Sequence, residues 1–140
     1  MAGQQPAGRP EHLLVDLLGL LAIADHAMDL QPQAETVLCP CGASADGFIR
    51  RAERLTEEFY ELWARSLSFA PHAGPGSLER KLSSLIDQQY QVLQRALRVG
   101  LPEPGTARSE QCLGQLRSAA GELRPVRDEL LLWILARTPA

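Results

Sequence analysis

Residues 48–69 read FIRRAERLTEEFYELWARSLSF, and the residues that recur at alternating steps of four and three are Phe48, Ala52, Leu55, Phe59, Leu62, Ser66 and Phe69. A strand would alternate at every second position. Steps of three and four instead hold one stripe of an α-helix against a neighbour for about six turns. The same rhythm returns at Cys112, Leu116, Ala119, Leu123, Val126, Leu130 and Trp133. Two seams of this kind require helix packed on helix.

Working outward, the segment before the first seam carries Leu13, Leu14, Leu17, Leu18, Leu21, Ala24 and Met28. It reads as a helix from near Glu11, whose charge suits a helix N-terminus, to near Leu30, ahead of Pro32. Apolar residues wrap most of its circumference, so it needs cover on several sides. A long connection follows, with Pro32, Pro40, Gly42 and Gly47, and Ser44 is the expected cap of a second helix over about 45–69. Pro71, Gly74, Pro75 and Gly76 break the chain again. Ser77 caps a third helix that stops at Gly100, before Pro102 and Pro104. Thr106 opens the fourth, which contains Pro125 and should bend there. The expectation is an all-α, four-helix up-down bundle with heptad-type packing and a proline-kinked last helix. Its loops fall at 31–44, 70–76 and 100–106, residues 1–10 form a disordered lead-in, and 11–137 form a single helical-bundle domain.

Composition narrows the function. The chain has 140 residues, 45% hydrophobic and 22% charged, with a formal charge of −3. Thirteen arginines and one lysine, Lys81, are interleaved with glutamates. Recognition through phosphates needs a concentrated basic face, so no direct nucleic-acid contact is expected. The apolar run at 13–24 is too short to span a bilayer and is interrupted by Asp16, so no transmembrane segment is expected. Cysteine usage (Cys39, Cys41 and Cys112) is odd in number and lacks a secretory framework. That points to a reducing, intracellular setting, cytoplasm or nucleus.

Chemistry is sparse. Cys39-Pro-Cys41 resembles half of a soft-metal site, but a structural zinc needs four ligands. His12, His26 and His72 show no ligand spacing toward it, so no metal or cofactor is expected. No nucleophile–base arrangement stands out, and the glutamates of 50–65 read as a solvated face. Ser66 and Gln89 are polar residues at seam positions, where a buried polar group fixes register at some cost in stability.

The feature that speaks to function is surplus apolar surface. Leu130, Leu131, Leu132, Trp133, Ile134 and Leu135 are six apolar residues in succession, twice what one buried stripe requires. With the first helix they nominate Leu14, Leu18, Leu21, Leu130, Leu131, Trp133, Ile134 and Leu135 as partner-binding residues. The expectation is a non-enzymatic subunit or adaptor of a multiprotein complex, bound by helix–helix packing to other helical subunits or to a second copy. A self-contained helical regulator with a hydrophobic groove for a peptide helix or lipid is the first alternative. A secreted four-helix ligand is the second.

Overall fold

The computed structural model describes residues 10–38, 45–69, 77–103 and 105–137. They form four helices and, among the described residues, no strand: α1 (Pro10–Leu38), α2 (Ala45–Ser68), α3 (Leu78–Val99) and α4 (Ala107–Arg137). The lead-in expected at the start falls largely on residues 1–9, outside the described residues. Cys39, Cys41 and His72 lie outside them too.

Capping follows from the sequence. Ser77 sits in extended backbone and its hydroxyl accepts from Arg80 N at 3.2 Å, closing the first turn of α3. Thr106 does the same for Ser109 N. At the other end of α3, Gly100 adopts φ +110°, which an L side chain rarely reaches, and its N–H returns to Ala96 O at 2.8 Å.

One helix boundary departs from expectation. Helix α1 does not stop before Pro32 but runs through it to Leu38, so the connection to α2 shrinks to residues 39–44. An internal proline costs about 3 kcal/mol. Beyond it, however, Ala34, Val37 and Leu38 are fully buried, and burying a Val and a Leu contributes roughly 1.5–3 kcal/mol each. The burial outweighs the lost backbone bond. Pro32 itself is exposed, and its carbonyl accepts from Thr36 Oγ1 at 2.9 Å.

Helix α4 is continuous across Pro125, which is exposed. Its buried line is Ser109, Leu113, Leu116, Ala119, Leu123, Val126, Leu130 and Ile134. The middle matches the heptad, but the ends do not: Cys112 is half-buried and Trp133 is exposed. At 3.6 residues per turn a helix drifts about 20° per heptad, which moves the last core position from Trp133 to Ile134. At the near end the extended α1 supplies a partner. Ser109 Oγ donates to Leu38 O at 3.3 Å, and the first turns of α4 rotate toward it.

Polar and aromatic contacts tie neighbouring helices together. Arg127 reaches Asp25 and Arg117 reaches Glu35, both at 2.8 Å, between α4 and α1. Ser66 and Ser83 share a hydrogen bond at 2.8 Å, while Tyr60 and Tyr90 are in ring contact, between α2 and α3. The core gathers leucines around alanines, Ala24, Ala27, Ala52 and Ala119, each fully buried. Among the described residues no helix is long and apolar enough to cross a membrane.

Gly19 gives α1 and α2 a close approach, because the Phe69 ring occupies the space a Cβ there would need. Gly19→Leu is expected to cost about 1–3 kcal/mol through overpacking. Phe69→Ala in the same chain should recover part of that loss. Urea unfolding of the two single variants and the double variant measures the coupling directly.

Candidate functional site

The bundle buries a polar relay. Gln89 on α3 is fully buried, and its Nε2 donates to Gln31 Oε1 at 3.2 Å. Gln31 Nε2 donates to Glu35 Oε2 at 3.1 Å, and Glu35 Oε1 accepts from Arg117 Nε at 2.8 Å. The ion pair at the surface fixes the orientation of every amide inward from it. Gln31 must point its nitrogen at the carboxylate, so its oxygen faces Gln89. Among the described residues the Gln89 Oε1 has no hydrogen-bond partner. Ser66, the other polar seam residue, is also buried, bonded to Ser83 and to the Trp63 carbonyl. Both seam polar groups therefore lie in the core rather than in water.

No cluster of three His, Cys, Asp or Glu side chains that could hold a metal occurs among the described residues. His26 lies 3.8 Å from Glu58, joining α1 to α2 at the surface. Asp25 accepts a hydrogen bond from Arg127 and attracts it, which raises that guanidinium above its ordinary range, with Asp128 adding to the effect. The group stays charged at any working pH, so the contact orients α4 on α1 without acting as a switch. Open grooves run between helices among the described residues, and two of them flank α4. One of about 630 Å³ between α3 and α4 is lined by Gln88, Gln91, Gln111 and Gln115 with Asp87 and Arg95. One of about 280 Å³ between α1 and α4 is lined by Met28, Gln31, Glu35, Arg117 and Arg124.

The apolar surplus lies at one pole of the α1–α4 pair. Leu21, Leu18 and Leu14 precede Asp25 by four, seven and eleven residues, and so share the flank that meets α4. Leu131 and Leu135 follow Arg127 by four and eight, on the flank that meets α1. The Asp25–Arg127 contact sets Leu21 level with Leu131, and Leu18 level with Ile134 and Leu135. Of the eight residues nominated from sequence, Leu130 and Ile134 are 0% and 7% exposed, taken up by the chain's own core. Leu14, Leu21 and Leu131 are half-buried. Trp133 is 36% exposed, with the Arg137 guanidinium 5.6 Å over its ring. Leu18 and Leu135 are 47% and 61% exposed.

Leu132, part of the apolar run at 130–135 but not among the eight nominated residues, is 64% exposed, three residues before Leu135. Val15, 60% exposed, escaped the sequence reading; it stands four before Gly19 and eleven before His26, the residues of α1 that meet Phe69 and Glu58, and so lies toward α2.

A second concentration of exposed ring surface lies between α2 and α3. Tyr60 stands 5.6 Å from Trp63 and 5.5 Å from Tyr90, centre to centre, in tilted contacts. Gln94 Nε2 donates to the Tyr90 hydroxyl at 2.9 Å. The sequence reading assigned this side of α2 to solvent because it weighed charges alone; Tyr60 and Trp63, three apart and both off the seam centre, were the available signal.

No protein-family model, curated protein or solved structure matches this chain. What it does must be read from its own surfaces.

The polar relay yields a test with opposite signs. Gln89→Met removes the buried unpartnered oxygen and is expected to leave stability unchanged or raise it by about 1 kcal/mol. Gln31→Leu strands the Gln89 amide entirely and should cost about 1–3 kcal/mol. Chemical denaturation of the two variants distinguishes these outcomes.

Proposed function

We propose that this chain is a non-enzymatic, intracellular helical subunit or adaptor that joins a multiprotein complex through the exposed pole of α1 and α4. The observation that carries it is the position of Leu18, Leu132 and Leu135. These three are open to water although the core beneath them is already closed by Leu17, Leu20, Leu130 and Ile134. A monomer gains nothing from leucine at such positions. Burying each on a partner contributes roughly 1.5–3 kcal/mol at full coverage, and contiguous patches of this kind mark interaction sites.

In this reading the bundle is up-and-down, and the bend at Pro125 orients the last three turns of α4. The partner is itself helical and lays an apolar stripe along the α1–α4 flank. The alternative of a self-contained regulator needs an apolar groove. The α3–α4 groove is open and mixes Val92 with four glutamines, Asp87 and Arg95, so a lipid or an apolar helix seated there would have to desolvate several polar side chains.

Leu18→Asp combined with Leu135→Asp is expected to leave helicity and thermal unfolding near those of the parent chain, because both side chains are exposed. The variant should lose the partners that the parent retains in affinity capture. Recovery of the same partners by both chains would refute the assignment. Leu130→Asp is expected to unfold the bundle and serves as the contrast.

A further inference from the structure

We propose that Pro32 and Pro125 form one hinge across the α1–α4 pair, at which the two helices bend together and carry the pole bearing Leu18, Leu132 and Leu135 as a unit.

Helices of 29 and 31 residues each hold one internal proline. The Asp25–Arg127 and Glu35–Arg117 ion pairs set residues 26–34 of α1 beside residues 118–126 of α4, and both prolines fall within that one stretch. Proline has no N–H to give. Pro32 therefore leaves the Met28 carbonyl, and Pro125 the Gly121 carbonyl, without its usual helical donor. Met28, Pro32 and Gly121 line the same groove of about 280 Å³, so the two interrupted turns are neighbours in space. A proline in one helix alone would be splinted by an unbroken partner. Here the splint is interrupted at the same place.

Other features soften the same level. Both prolines are exposed, so each helix can lengthen on its solvent side without unpacking its buried stripe. A Cβ at Gly121 would meet nothing within 4 Å, which leaves free space beside a residue that already holds helical backbone less firmly than alanine. Beneath them, the residue that α3 presents to Gln31 is Gln89, buried with its Oε1 unpartnered among the described residues. An incompletely bonded amide resists local opening less than a leucine in the same place would. The turns beyond the stretch are held more firmly. Leu17, Leu20 and Ile23 anchor α1 and Leu130 and Ile134 anchor α4, all of them buried, and the Asp25–Arg127 pair ties these two segments to each other. Bending thus moves the leucine pole while α1 and α4 stay paired within it. The use of this motion by a partner rests on the docking role proposed above; the hinge itself does not.

The test is native-state hydrogen exchange on the full chain, read amide by amide by NMR. In the parent, amides at 26–34 and 118–126 are expected to exchange through a shared opening, faster than those of the flanking Leu20, Leu116 and Leu130. Pro32→Ala restores the missing N–H on α1. It is expected to slow exchange at 118–126, on the other helix, by about fivefold relative to the Leu82 and Leu93 amides of α3. Pro125→Ala should do the same to 26–34. Alanine suits an exposed helix interior, so both variants are expected to fold. Gly114→Ala, on α4 but outside the stretch, also adds a Cβ into open space and should slow exchange evenly along the chain. Slowing confined to the substituted helix, even slowing in the proline variants, or the same cross-helix effect from Gly114→Ala would overturn the proposal. So would parent amides in the two stretches that are as protected as the flanking ones. No partner enters these measurements. Coupled exchange in a chain whose leucine pole recovers no partner would sink the docking role alone, and uncoupled exchange would sink the hinge alone.

Discussion

Removal of apolar side chains from water along four helical stripes is the interaction on which the rest of this structure depends. Phe59, Leu82, Leu93, Leu116, Leu123 and Leu130 are each almost completely shielded, and the alanines between them let the helices approach closely. Dispersion and hydrophobic burial act without direction. The specific pairing of helices therefore has to come from shape and from the few polar groups inside. Gly19 against Phe69 and Ser66 against Ser83 supply that specificity on either side of α2. Arg117 and Arg127 supply it between α1 and α4.

Within this frame, buried and exposed apolar residues share the same helices. On α4, Leu130 and Ile134 close the core, while Leu132 and Leu135, within a few residues of them, face outward. On α2, Phe59 is buried and Tyr60 is half-exposed. An unbroken apolar run in sequence thus divides into an inner line that folds the chain and an outer line exposed at the surface. The two outer surfaces also differ in chemistry. The α1–α4 pole is aliphatic, whereas the α2–α3 face is aromatic, and both are bordered by charges of both signs.

Much of the fold was legible in the residues, and the exceptions have physical causes. The four helices, the Ser77 and Thr106 caps and the central seam positions followed from period and capping chemistry. The passage of α1 through Pro32 did not, because a local penalty was set against burial that only tertiary contacts reveal. The shift from Trp133 to Ile134 reflects the mismatch between a strict heptad and the 3.6-residue helical turn. The candidate surfaces were harder to read. Sequence identified an excess of leucine near 130–135 but not which residues face inward, since that depends on where α1 lies. The aromatic face was invisible for a related reason. Tyr60 and Tyr90 are thirty residues apart in sequence, and only the pairing of α2 with α3 joins them.

The two ion pairs between α1 and α4 are offset by the same ten residues on each helix, Asp25 to Glu35 and Arg127 to Arg117, so both helices advance by about 15 Å between them. A pair of spin labels at the exposed Leu18 and Leu135 would therefore report the register of these two helices without disturbing the core.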